Sequence, residues 1–297
     1  MIKDFCAFIL THGRADNVRT YRTVREQGYT GPIVIVIDDE DIQRQKYIDK
    51  FGSENVEIFS KTKIAKTFDR CDNFDKRGAI IYARNACFDI AKKRGYTYFI
   101  ELDDDYTSFS YRFDAELNYI ETKIKNLDAV WSRMLAYYID NPRFASIAMA
   151  QGGDFIGGRN SGFGQMKPKR KAMNSFICST ERRFTFIGTI NEDVNTYTNK
   201  ATTGMLFLTI PLVCLHQQTT QRTPGGMTEL YLDSGTYLKS FYSVMLTPSA
   251  VKIAVMGGDA EKRLHHFVEW NHCCPKIISD RHKKRNFGRF NGLLGID

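Results

Sequence analysis

Pro32 opens an unbroken β-branched run, Ile33-Val34-Ile35-Val36-Ile37, which stops abruptly at Asp38-Asp39-Glu40-Asp41. A strand that is apolar at successive positions has no face to offer to water, so it must lie in a sheet covered on both sides. The segments around it fit that demand. Residues 5–10 form a short apolar strand ending at Thr11-His12-Gly13-Arg14, and residues 16–27 read as a helix that Gly28 is placed to end. A second helix is expected over 41–51, a short strand near 56–59, a helix over 79–93 ending at Gly95, and a strand over 96–102 that runs into Asp103-Asp104-Asp105. This alternation predicts a doubly wound, mostly parallel α/β sheet. Ligands of such sheets bind beyond the carboxyl ends of the strands, where three polar clusters fall: 11–14, 38–41 and 103–105.

The second half is less regular. A helix over 127–139 leads to a strand over 144–150 and a glycine-rich basic loop over 152–171. Strand-like pieces recur at 174–178, 184–190 and 205–208, a polar loop at 217–228 carries Pro224-Gly225-Gly226, and 251–255 is strand-like. With no repeat and no low-complexity tract, the chain reads as one domain: a ligand-binding half (1–110), a second half (111–250) and a basic, His-containing extension (251–297).

No apolar run approaches the roughly 20 residues that span a bilayer, and the first residues lack the layout of a secretory signal; a cytoplasmic protein without a membrane partner is expected. Seven scattered cysteines (Cys6, Cys71, Cys87, Cys178, Cys214, Cys273, Cys274) read as reduced thiols. The net charge of +8 is concentrated. Residues 159–183 carry +6 and residues 276–289 carry +5, leaving −3 for the remainder. Concentrated basicity suits a surface that meets a polyanion, although two solvated basic loops would look the same.

Three consecutive aspartates at the end of a buried strand are costly unless a cation or a basic group neutralises them. Asp103 and Asp105 could hold Mg²⁺ or Mn²⁺ and leave positions for a diphosphate; the alternative is an acidic turn capping a helix. Arg84, in Ala83-Arg84-Asn85, could offer a forked donor to phosphate or simply pair with an acid. Asn191-Glu192-Asp193 follows an expected strand. Its carboxylates suit a general base for an acceptor hydroxyl, or the first turn of a helix. Arg263-Leu264-His265-His266 and His272 could supply an imidazole to the same metal, whereas the absence of a C-x₂-C pair disfavours a structural zinc site.

Taken together, these blocks resemble the GT-A (Rossmann-like) glycosyltransferase plan. A narrower resemblance rests on 169–174, 191–195, 220–228, 235–241, Pro248-Ser249-Ala250-Val251-Lys252 and Arg263-Leu264-His265-His266, which are similar to the TET-associated glycosyltransferase family, found largely in bacteriophages. It covers roughly 5–285. The resemblance implies a GT-A fold and transfer of a sugar from a nucleotide sugar, as a UDP-sugar, to the hydroxymethyl group of a 5-hydroxymethylpyrimidine such as 5-hydroxymethylcytosine in DNA, in the host cytoplasm if phage-encoded. Within it, Asp103, Asp105, His265 and His266 would hold Mn²⁺ or Mg²⁺, Asp193 would be the base, and Glu192 would position it or the sugar. Thr11, His12, Arg14, Asp38, Asp39, Arg84, Asn85 and Asp104 would bind the nucleotide sugar. Lys169, Arg170, Lys171, Asn174, Gln221, Gly225 and Gly226 would bind the acceptor. A protein or glycan acceptor, a non-catalytic DNA-binding relative and a metal nuclease are the competing readings.

Overall fold

The structure, a computed structural model, describes residues 4–70, 77–152, 171–218, 228–256 and 262–273. Strands β1 (Phe5–Leu10), β2 (Ile33–Asp38), β3 (Val56–Phe59) and β4 (Tyr98–Asp103) lie in the order β3-β2-β1-β4, all parallel. Helices α1 (Arg19–Glu26), α2 (Arg44–Phe51), α3 (Lys61–Ala65) and α4 (Ile81–Lys93) connect them. This is the strand order of a dinucleotide-binding half-fold. The central run behaves as its composition requires: every residue of β2 is buried, with Ile33, Ile35 and Ile37 in one core and Val34 and Val36 in the other.

Strands β5 (Tyr106–Phe113), β6 (Tyr119–Lys123), β7 (Phe144–Gln151), β8 (Ser175–Ser179) and β9 (Leu206–Gln217) extend the sheet in the order β4-β8-β7-β9-β5-β6. In this half β7 and β9 are parallel and the other neighbours antiparallel. The remaining elements are α5 (Leu127–Asp140), α6 (Glu192–Thr202), α7 (Thr228–Leu246), α8 (Trp270–Cys273) and a separate antiparallel hairpin, β10 (Val251–Met256) with β11 (Arg263–Val268). Among the described residues no helix is long and apolar enough to cross a membrane. Cys6, Cys87, Cys178, Cys214 and Cys273 are buried free thiols.

One expected strand is absent. Residues 184–190 form an irregular segment, because their backbone groups bond to side chains and loops instead of a neighbouring strand. Asn85 takes both polar groups of Phe186, its Oδ1 accepting from the amide at 2.9 Å and its Nδ2 donating to the carbonyl at 3.1 Å. The amides of Gly188 and Thr189 donate to the carbonyls of Asp69 and Arg70. Gly188 has φ +75°, and a Cβ there would meet Asn195 Nδ2 at 2.7 Å, so the turn needs glycine.

The two halves are joined by a buried amide. Gln27, fully buried at the end of α1, donates to the carbonyls of Phe109 and Ile124 at 2.7 and 2.6 Å and accepts from the Phe109 amide at 2.8 Å. Gly28 follows with φ +84°, where a Cβ would lie 2.5 Å from the Lys125 carbonyl. Gln27→Ala strands the Phe109 amide and the Ile124 carbonyl, each worth about 1–3 kcal/mol when left unpaired, while the Phe109 carbonyl keeps the Ile124 amide at 2.9 Å. We expect a loss of roughly 3 kcal/mol in urea unfolding with an unchanged m-value, and a loss below about 1 kcal/mol would show that the junction is held elsewhere.

Candidate functional site

The parallel register brings the three polar clusters together. Leu10 pairs with Val36 on one side and Asp103 on the other, so β1, β2 and β4 release their chains side by side. The loop after β1 grips the acid run. Thr11 Oγ1 donates to Asp104 Oδ2 at 2.7 Å, and an Arg14 Nη donates to Asp104 Oδ1 at 3.1 Å. Thr20 ties down the backbone beneath, its hydroxyl donating to the Asp103 carbonyl at 2.6 Å and its amide to the Asp104 carbonyl at 3.0 Å. Asp104 is thus buried with both oxygens engaged, while Asp103 and Asp105 remain partly accessible.

Arg84 has a different setting from the phosphate contact expected of it. It is only 2% exposed and points from α4 into a nest of acids. One Nη donates to Asp103 Oδ1 at 2.9 Å, Nε donates to Glu192 Oε1 at 3.0 Å, and the other Nη lies 3.5 Å from Glu101 Oε2. Its guanidinium also covers the Phe176 ring at 4.8 Å. The physical reason is local: α4 packs directly over β4, and the nearest counter-charges are the carboxylates of β4 and α6. Asn85, likewise expected to bind donor, is buried and committed to Phe186.

One cation faces three acids here, and more acids stand close by. Burial drives Glu101 up to about 8, against the pull of Arg84. Burial raises Asp103 to about 7, with Arg84 opposing and the charges of Asp105, Asp104 and Asp193 adding. Glu192 is pushed to about 7 by burial and by Asp193, and Asp105 to about 6 by burial and Asp104. Both oxygens of Glu101 and one Arg84 nitrogen lack a hydrogen bond. The pocket therefore holds more carboxyl groups than its one buried cation can keep ionised, and protons or a further cation would make up the difference.

At the end of β2, Asp38 accepts from His12 Nδ1 at 2.7 Å and from the buried Lys61 ammonium at 3.0 Å. Burial works against its ionised form, but these two partners hold Asp38 below its ordinary value, and the same hydrogen bond raises His12. Asp39 accepts from the Lys61 amide at 3.0 Å, and Asp41 from the Gly13 amide at 2.7 Å. Tyr47 reaches both Thr11 and the Arg14 amide. Lys61 and Tyr47 were not legible as site residues, because each is an ordinary helix residue until the fold closes over it; Asp41 was visible as part of the acidic run.

On the other side Asn191 caps α6 in the left-handed region (φ 54°) and clamps it to α7, its Nδ2 donating to the Lys239 carbonyl at 2.7 Å and to Ser243 Oγ at 3.1 Å. Asp193 lies in the first turn of α6, its Oδ1 accepting from the Val194 amide at 2.7 Å. His266 Nδ1 lies 3.4 Å from Asn191 Nδ2, and burial, His265, Lys239 and Lys171 push this imidazole down to about 3, so it is neutral. His265 is turned to the His266 carbonyl at 2.8 Å. Among the described residues no three His, Cys, Asp or Glu side chains form a set that could hold a metal ion, so the histidines do not join Asp103 and Asp105 in one cradle. Asn174, at φ 59°, accepts from the Tyr106 hydroxyl through its carbonyl and bonds to Gln217. Lys171 stands near His266. Lys169, Arg170, Gln221, Gly225 and Gly226 lie outside the described residues, as do residues 159–170 of the first basic stretch and all of the second.

The sequence profile of the TET-associated glycosyltransferase family matches residues 5–226, three-quarters of the chain. The protein belongs to this glycosyltransferase family. Comparison with curated protein sequences finds no match. Among solved structures, glucosyl-3-phosphoglycerate synthase from Mycobacterium tuberculosis in complex with Mg²⁺ and UDP is similar at TM-score 0.46 and 8% identity, covering 89% of this chain and 87% of the other. GalNAc-T7 with UDP, GalNAc and Mn²⁺ gives 0.44 and 15%, covering 72% and 43%. S. aureus TarS 1–349 gives 0.39 and 12%, covering 71% and 60%, so the chain spans less than two-thirds of the last two.

The raised acids make stability depend on pH. Glu101, Asp103, Glu192 and Asp105 each bind a proton more tightly in the folded chain than in the unfolded one. From about pH 4 upward the folded chain therefore holds more protons, and stability falls until the folded values are passed near pH 8. Without added divalent ions, Tm should be higher at pH 5 than at pH 8, and Glu101→Gln should flatten the upper part of that decline. Parallel curves for the two proteins would remove Glu101 from the account.

Proposed function

We propose that this chain, arranged on the GT-A plan as a single catalytic unit, transfers a sugar from a UDP-sugar to the hydroxymethyl oxygen of a 5-hydroxymethylpyrimidine in DNA. The observation that carries the transferase mechanism is the Arg84 junction, which ties Asp103 at the end of β4 to Glu192 at the start of α6. A donor-side acid and the turn bearing Asp193 are thereby held against one rigid guanidinium, as a reaction between two substrates requires. The DNA acceptor is supported by the family and by the concentration of positive charge at 159–183 and 276–289.

Asp103 and Asp105 would hold Mg²⁺ or Mn²⁺. The surplus charge and all-oxygen donors fit such an ion, and with only two carboxylates the other positions would fall to water and phosphate oxygens. When bound, the ion supplies charge neutralisation for the departing diphosphate. The chain's own residues do the rest. Asp104, fixed by Thr11 and Arg14, keeps the acid run in place, and Arg14 stands ready for the diphosphate. Thr11, His12, Asp38 and Asp39 line the nucleoside end. Arg84 acts as a positioning residue rather than a phosphate ligand, orienting Asp103 and Glu192. Asp193 takes the acceptor hydroxyl's proton as that oxygen bonds to the anomeric carbon and the bond from that carbon to the diphosphate breaks. His266, neutral beside Asn191, flanks the acceptor side, with Lys169, Arg170, Lys171, Asn174, Gln221, Gly225 and Gly226 assigned to the acceptor.

Mass spectrometry of nucleosides from hydroxymethylated DNA, after incubation with a panel of UDP-sugars and Mn²⁺ or Mg²⁺, reads donor and acceptor together. Transfer only to a protein or glycan fraction would overturn the DNA acceptor, and strand cleavage without sugar nucleotide would point to a nuclease. Asp193→Asn should lower turnover by about 10²–10⁴ with donor binding retained; wild-type turnover would remove it as the base. Chelation by EDTA should abolish transfer and excess Mn²⁺ restore it, whereas full activity in EDTA would exclude the metal role of Asp103 and Asp105.

A further inference from the structure

A cavity of about 320 Å³ opens beside the acid run, lined by Asp16, Asn17, Val18, Arg19, Tyr21, Arg22, Lys50, Phe51 and Gln218. It is separate from the His12–Asp38 cluster and from the Arg84 junction, and no role assigned above uses it. Three observations define what it suits. Its lining carries three cations, Arg19, Arg22 and Lys50, against one acid, Asp16. Arg19 makes no ion pair among the described residues, and Arg22 faces only the exposed Glu26 at 3.6 Å, a solvated contact that competes weakly with a phosphate. Arg19 and Arg22 are three positions apart on α1, so they share one helix face.

An aromatic wall stands next to these cations. The Tyr21 and Phe51 rings lie 5.0 Å apart, and the Lys50 ammonium sits 5.4 Å from the Phe51 ring centre while donating to the Ala15 carbonyl at 2.9 Å. Cations beside half-buried rings form the arrangement that takes a nucleotide from a single or locally opened strand, phosphate on the guanidinium groups and base against the ring. The cavity is also hard-wired to the reaction centre. Thr20, between two lining residues, is bonded to the backbone of Asp103 and Asp104, and the Gln218 amide donates to the Asp105 carbonyl at 3.3 Å. The cavity wall is thus bonded through Thr20 and Gln218 to the backbone of the acid run.

We propose that this cavity binds one nucleotide of the acceptor strand flanking the modified pyrimidine, with Arg19 and Arg22 sharing its phosphate and Tyr21 and Phe51 packing on its base. The inference rests on the DNA-acceptor reading and adds a flanking subsite to it. It is tested with full-length protein and a fluorescent hydroxymethylated oligonucleotide, measuring affinity by anisotropy across a salt series, together with UDP binding by calorimetry. Arg19→Ala/Arg22→Ala should weaken oligonucleotide binding about tenfold at moderate salt. It should also reduce the magnitude of the log–log salt slope by about 0.7, the share of one neutralised phosphate on a single strand. UDP affinity and Tm should stay at wild-type values. An unchanged affinity and slope in the variant, with wild-type protein binding the oligonucleotide, would overturn the subsite alone. Wild-type protein that neither binds nor modifies the oligonucleotide would overturn the DNA acceptor and the subsite with it. Should the double variant lose Tm, Arg19→Lys/Arg22→Lys keeps the charge and the fold test: an unaltered slope with weakened affinity is expected if the guanidinium fork is used, and unaltered affinity counts against it.

Discussion

The buried guanidinium of Arg84 is the contact on which the rest of the site depends. A carboxylate cannot remain charged in an apolar interior without a partner, and Glu101, Asp103 and Glu192 all converge on this one. They belong to β4 and α6, elements far apart in sequence. Removing the arginine would leave several acids in a space too dry to solvate them, so the end of β4 and the first turn of α6 would lose their common reference. That one cation is outnumbered is equally important. The surplus of acids over the one guanidinium raises Glu101, Asp103, Asp104, Asp105 and Glu192, and it is what supports the proposed cation.

Around this centre the structure separates holding from exposure. Asp104 and Asp38 are saturated by neighbours, while Asp103 and Asp105 keep some access. Asn191 accepts a left-handed backbone and spends its side chain on α7, which fixes the first turn of α6 and the direction in which Glu192 and Asp193 leave it. Gln27 does the comparable work between α1 and β5, beneath the acid run. The site is therefore built on buried polar contacts rather than on loop packing. Such contacts specify geometry because a misplacement leaves groups unpaired.

Family membership and the geometry meet at different levels. Membership establishes the glycosyltransferase class. The junction of Asp103, Arg84 and Glu192 holds the end of β4 and the start of α6 at a fixed spacing. The basic stretches and the cavity beside α1 support the proposed acceptor, the first by bulk charge and the second by a defined pairing of cations and rings.

The run at 33–37, short, β-branched and opened by Pro32, pointed to a strand buried on both faces, and the alternation around it to a parallel sheet. The alternation around it likewise determined the helices, the polar strand ends and the order of the acidic blocks. Tertiary structure alone decided how those blocks are used. Arg84 reads in sequence as a phosphate donor or as the partner of an acid, and the packing of α4 over β4 decides for the acids. Residues 184–190 have strand composition, yet Asn85 and the carbonyls of Asp69 and Arg70 take up backbone groups that a sheet would have paired. Lys61, Tyr47 and Gln27 carried no signal, because their importance arises from partners brought near by folding. Local pattern reports which surfaces must be buried, whereas the pairing of buried charges is a property of the assembled chain.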